Sequence, residues 1–158
     1  SSARLEDNAP VVIHLGANVD GYAEKMCRTV FLGQPPEKCV DIYRVLRQAQ
    51  EAAMSRLRPG VTCGELYQAA ADCVEAAGYE KYWIVEHIGY GVGIRQSEFY
   101  PIIAKGSEVR IEENMVVDLL LPSIYVPHAG GPRLTDTVLV TAHGAEYLTN
   151  YGRDIFYC

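Results

Sequence analysis

Along the 158 residues, β-type patterning gives way to three- and four-residue apolar steps and then returns. The first run, "PVVIHLGANVDGYAEKMCRTVFLG", is rich in β-branched and aromatic residues on either side of "ANVDG", which supplies turn residues. It predicts strands over residues 11–15 and 22–32, and so places His14 and Lys25 on one hairpin. Pro35 and Pro36 then open a helix whose apolar positions Ile42, Tyr43, Leu46, Ala49, Ala53, Met54 and Leu57 recur at helical spacing, and "RPG" at 58–60 stops it.

A second helix is predicted from Thr62, because Glu65 three residues later completes a capping box. Leu66, Ala69, Ala70, Cys73, Val74 and Ala77 form its apolar stripe, with Gly78 as the residue just past its end. The remainder predicts strands near 84–86, 91–97, 115–121 and 134–141, with no short repeat and no low-complexity segment. Hairpin, helix pair and sheet in that order make an α+β arrangement, one domain by length.

Asp and Glu outnumber Lys and Arg by 20 to 14. That balance argues against a direct nucleic-acid grip through this segment, which needs clustered positive charge, and favours a basic partner. Five cysteines at 27, 39, 63, 73 and 158 lack the close paired spacing of a disulfide framework or zinc site and suit a reducing compartment. No stretch reads as a leader or bilayer span, since "MVVDLLLPSIYV" is interrupted by Asp118 and Pro122. A soluble cytoplasmic or nuclear protein, with no membrane partner, is the expectation. His87, His128 and His143 are dispersed and read as surface or hydrogen-bonded histidines.

Candidate chemistry gathers in "GYGVGIRQSE" at 89–98 and "GGPRLTDTVLV" at 130–140. With "VVIHLGANVDGYAEKMCRTVFLG" and "MVVDLLLPSIY", these segments resemble the pita-bread family of methionine aminopeptidases, prolidases and creatinase. The resemblance runs from about residue 11 to 149 and implies the pita-bread (creatinase/aminopeptidase) fold. It further implies that residues 1–158 are a single partial domain, the C-terminal larger part, with a helical N-terminal segment of the family missing and a partner or that missing part covering an apolar sheet face.

Family enzymes hold two divalent metals with two Asp, one His and two Glu. Carried over by position, these fall on His14, Lys25, Tyr90, Leu121 (Leu120 in the other register) and Thr135, while the family's further His becomes Ser97. The metal ligands and cofactor are thus expected to be lost. A like charge at about 4 Å and an effective dielectric near 20 costs about 4 kcal/mol per unit, so a dication beside Lys25 costs about 8 kcal/mol. A one-residue slip of the hairpin turns Glu24 inward in place of Lys25, since neighbouring strand residues face opposite sides. Glycines 89, 91 and 93, Glu98, Met115, Tyr125, Arg133 and Asp136 match the family and read as packing and hydrogen-bonding positions.

Among relatives without the ligands, "GYGVGIRQSEFYPIIAKG" looks most like the aminopeptidase-like domain of the FACT histone chaperone large subunit. That likeness implies a catalytically inactive, nuclear, protein-binding module for core histones, with Tyr90, Ser97, Glu98 and Arg133 lining the former cleft. "SIYVPHAGGPRL" is closer to the prolidase pattern, and the alternative is a degenerate Xaa-Pro aminopeptidase or prolidase-like metallopeptidase. A ribosome-binding relative of methionine aminopeptidase ranks last, as a basic surface is lacking.

Overall fold

The computed structural model describes residues 4–119 and 123–158. Strands β1 (Pro10–Val19) and β2 (Tyr22–Phe31) pair antiparallel in unbroken register from Pro10 opposite Phe31 to Val19 opposite Tyr22. The first runs longer than the residue pattern indicated, and the second matches it to within one residue. The turn is only Asp20 and Gly21, with φ of 50° and 89°, the two-residue form that matches strand twist, so residues 17–19 are strand. Asn18 Oδ1 accepts from the Gly21 N–H at 3.1 Å and closes it. Gly16 faces Lys25 and Ala17 faces Glu24, so the slipped hairpin is not formed and Lys25 is the buried residue.

Helix α1 (Glu37–Arg56) follows Pro36 and buries Ile42, Tyr43, Leu46, Ala49 and Ala53 along one stripe. Helix α2 (Cys63–Ala76) begins as its sequence indicates. The Thr62 hydroxyl accepts from the Glu65 N–H at 3.1 Å, and the Glu65 carboxylate accepts from the Thr62 N–H at 2.8 Å. Gly78, at φ 72°, ends it. Leu66, Ala70 and Val74 are fully enclosed, and burying each branched side chain contributes on the order of 1.5–3 kcal/mol.

The C-terminal half carries β3 (His87–Tyr90), β4 (Ile102–Ala104), β5 (Val116–Leu119), β6 (Asp136–Thr141), β7 (Gly144–Tyr147) and β8 (Phe156–Tyr157). Among the described residues these strands form three sheets, ordered β1-β2-β8, β3-β4 and β5-β6-β7. Single bridges between Cys27 and Thr135 and between Gly91 and Val117 tie them together. The helices lie against these strands over a core that joins Ile42, Leu46 and Leu66 to Ile88, Ile103, Val117 and Val138. The α+β pita-bread architecture is therefore the one the sequence indicated.

Two expected strands are absent. Residues 84–86 are irregular after a 3-10 turn at Glu80–Tyr82, and residues 91–97 form a loop. The loop doubles back so closely that a Cβ on Gly91 would sit 2.3 Å from the Tyr100 carbonyl oxygen, and the Glu98 N–H reaches the Gly91 carbonyl at 2.7 Å. Strands β3, β4, β7 and β8 were not anticipated; at two to four residues they are too short to show a period. The strand expected over 115–121 and the one over 134–141 are present as β5 and β6, with Leu120, Leu121 and Pro122 outside the described residues. Among the described residues no helix is long and apolar enough to cross a membrane. Strand β1 exposes Ile13, Leu15 and Val19, and Tyr22 at the start of β2 is exposed beside them, each more than two-fifths accessible.

Candidate functional site

The site begins with backbone geometry. A Cβ on Gly89 would stand 2.0 Å from the Asp118 carbonyl oxygen, so glycine lets β3 lie directly on β5. This approach brings the Tyr90 N–H to the Asp118 Oδ1 at 2.5 Å. On the other side, Thr137 of β6 clamps β2: its hydroxyl accepts from the Lys25 N–H at 3.2 Å and donates to the Lys25 carbonyl at 2.8 Å. Lys25 is thereby aimed inward. Its ammonium pairs with the Asp118 carboxylate, donates to Ser97 Oγ at 2.5 Å and lies 5.9 Å from the centre of the Tyr90 ring.

The 91–101 loop covers this centre. Gly93 accepts from the Ala23 N–H at 2.7 Å, which fastens the loop to the hairpin, and the Gln96 amide sits where a Gly16 side chain would begin. Glu98 turns back to accept from the Arg95 N–H at 3.0 Å, within its own loop. The Tyr90 hydroxyl meets His87 Nε2 at 2.7 Å with the two rings tilted together, so the tyrosine is half-buried and anchored at both ends.

Charge in this site is balanced internally. Both members of the Lys25 and Asp118 pair are buried, and burial pushes the Asp118 carboxyl above its ordinary pKa despite the hydrogen bond and charge of Lys25 and the Tyr90 N–H, which act the other way. His14 lies diagonally across the hairpin from Lys25, more than a third exposed. Packing on its covered side, then the charges of Lys25 and Arg133, hold its pKa below the ordinary imidazole value.

A second buried carboxylate lies at the start of β6. Asp136 Oδ1 accepts from Arg28 at 2.6 Å, Thr149 at 2.5 Å and Arg153 at 3.1 Å, while Oδ2 accepts from Gln50 at 2.8 Å and Arg153 at 3.1 Å. Arg28 also donates to the carbonyls of Cys27, Thr135 and Gly152. One carboxylate thus ties β2, α1 and β6 to the C-terminal segment.

The expected site residues divide accordingly. Lys25, Tyr90 and Ser97 come together around Asp118, and His14 and Arg133 lie near enough for their charges to be felt. Thr135 is buried in the bridge to Cys27, Arg133 is held through its backbone by Thr29, and Leu121 lies outside the described residues. Asp118, Thr137, Arg28, Gln50 and Arg153 escaped the sequence reading. For Asp118 a signal existed, a carboxylate inside the apolar run "MVVDLLL", and it was read only as an interruption.

The chain matches Metallopeptidase family M24 over residues 1–142 and belongs to that family. It is 38% identical to the Xaa-Pro dipeptidase of Pyrococcus furiosus over 155 residues, 98% of this chain and 44% of that protein. The Xaa-Pro dipeptidase of Lactobacillus helveticus is also 38% identical, over 96% of this chain and 40% of its own length. The solved prolidase of Pyrococcus horikoshii superposes with a TM-score of 0.90 at 36% identity, covering 98% of this chain and 44% of that one. The chain therefore spans less than half the length of these relatives.

These likenesses correct the expectation of a catalytically inactive, histone-binding nuclear module. The N-terminal domain of FACT complex subunit SPT16 from Eremothecium gossypii has a TM-score of 0.85 but only 21% identity, which is a likeness of fold alone. Proteins named as Xaa-Pro dipeptidases stand much nearer in sequence.

The family description implies a metal, and the described residues do not fit one. Among them, no three His, Cys, Asp or Glu side chains gather to hold an ion. The two buried carboxylates already face Lys25 and a pair of arginines. Divalent ions need several anionic or imidazole donors free to coordinate, and a dication beside an ammonium meets like-charge repulsion.

Proposed function

We propose that this chain is the larger C-terminal part of the pita-bread domain of a peptidase of the Xaa-Pro dipeptidase class, working in the cytoplasm. The observation that carries this reading is 36–38% identity to three Xaa-Pro dipeptidases along 96–98% of the chain. The loop over Lys25, with Tyr90 and Ser97 beside it, is the peptide-facing wall in this reading. The exposed apolar residues of β1 are the docking face for the remainder of the longer protein, since burial of such a face favours association.

The test is hydrolysis by the full-length protein of a dipeptide panel that shares one N-terminal residue and varies the second. Preferential cleavage of the Xaa-Pro member, by about tenfold or more in kcat/KM, is expected from a shaped pocket. Absence of Xaa-Pro cleavage overturns the reading.

A further inference from the structure

We propose that the cation of this centre is built into the chain, with the Lys25 ammonium and the Arg28 and Arg153 guanidiniums filling the electrostatic role of a bound divalent ion. The claim concerns the charge in the site and stands apart from whether Xaa-Pro peptides are cleaved.

Three independent observations carry it. First, among the described residues the fully buried carboxylates are Asp118 and Asp136, and each is in contact with a protein cation. Second, the cations are held from behind by groups that make no use of a metal. Thr137 fixes the Lys25 backbone on both its N–H and its carbonyl, and Arg28 also donates to four carbonyl oxygens, those of Cys27, Thr135, Tyr151 and Gly152. Third, among the described residues the other side chain hydrogen-bonded to the ammonium is Ser97, whose hydroxyl oxygen accepts from it at 2.5 Å and is a poor ligand for a divalent ion compared with a carboxylate.

The balance of charge follows directly. Asp118 with Lys25 is neutral, and Asp136 with Arg28 and Arg153 carries one net positive charge, so neither carboxylate has negative charge to offer an incoming dication. A built-in cation also differs chemically from a metal. An ammonium donates hydrogen bonds and cannot exchange ligands, so Lys25 and Ser97 present N–H and O–H donors to an anionic or carbonyl oxygen. The ligand class that fits is an oxygen acceptor such as a peptide carbonyl or carboxylate, bound without any metal.

The experiment uses the full-length protein, stripped with EDTA, incubated with manganese chloride, desalted and analysed for metal beside the Asp118→Asn variant. No retained manganese is the expected result. Manganese retained equally by wild type, Asp118→Asn and a parallel Asp136→Asn variant lies elsewhere in the longer protein and also agrees with the assignment. Stoichiometric manganese that is lost in Asp118→Asn or in Asp136→Asn overturns it. Should either variant fail to fold, crystals of the wild type grown with manganese decide the matter: an anomalous peak at Asp118 or Asp136 refutes a built-in cation, and a bare difference map there supports it. Metal content is read without turnover, so failure of this claim and failure of the peptidase reading are separate results.

Discussion

Lys25 of β2 and Asp118 of β5 meet as a buried ion pair although their strands belong to different sheets. Neither side chain has water to fall back on. Removing one partner from such a pair leaves an uncompensated buried charge and commonly costs about 3–5 kcal/mol, whereas replacing both with apolar groups of similar volume is often close to neutral. Lys25→Met is accordingly expected to lower the urea midpoint sharply, and Lys25→Met with Asp118→Leu to recover most of the loss. A double variant as unstable as the single one would show that the pair contributes more than its charges.

The same pair sets a pH dependence. The folded protein holds the Asp118 proton more tightly than the unfolded chain, because burial raises this carboxyl above its ordinary value of 3.8. Stability from this group is therefore fully present below the unfolded value and is lost as pH rises through the raised folded one. Measured by denaturant unfolding across the acid range, wild type should lose stability relative to Asp118→Asn as pH increases through that window. A difference that grows in the opposite direction would mean the carboxyl is depressed.

Asp136 connects four parts of the chain through Arg28, Gln50, Thr149 and Arg153. Asp136→Asn keeps the shape but leaves two arginines facing a neutral amide, with an expected loss of about 3–5 kcal/mol. Amide hydrogen exchange should quicken first over residues 149–158, which hang on this carboxylate. Uniform exchange with an unchanged unfolding midpoint would argue that the network is redundant.

The cysteines give a simpler chemical readout. Cys27, Cys39 and Cys63 are fully buried, and burial pushes each thiol up to about 11, while Cys158 is exposed. At pH 8 a thiol reagent should label Cys158 in the native protein and reach the three buried thiols only after unfolding, as read by peptide mapping. Native labelling of Cys27 would indicate that the bridge between β2 and Thr135 opens.

Local features were the most legible in the sequence. The Thr62 and Glu65 capping box, the stop at Gly78 and the hairpin carrying His14 and Lys25 all depend on neighbours a few residues apart. Lys25 was placed at the site by the position of the family's second Asp, and the observed register, with Gly16 opposite Lys25, settles its face over that of Glu24. Its partner was not, because Asp118 reaches Lys25 only after β3 settles on β5 through Gly89, a contact between segments that no periodicity encodes. The step from substituted site positions to a histone partner failed for a different reason. It rested on the substituted positions Lys25, Tyr90 and Ser97 and on the likeness of one segment, "GYGVGIRQSEFYPIIAKG", while 38% identity to dipeptidases runs along 96–98% of the chain.

The most direct test combines the peptidase class with the built-in cation: the initial rate of Xaa-Pro dipeptide cleavage by the full-length protein, measured in EDTA and again in excess manganese. Equal rates in the two conditions are the expected result. A rate that appears only with manganese, together with manganese binding that Asp118→Asn or Asp136→Asn abolishes, contradicts the built-in cation, and no cleavage in either condition contradicts the peptidase assignment.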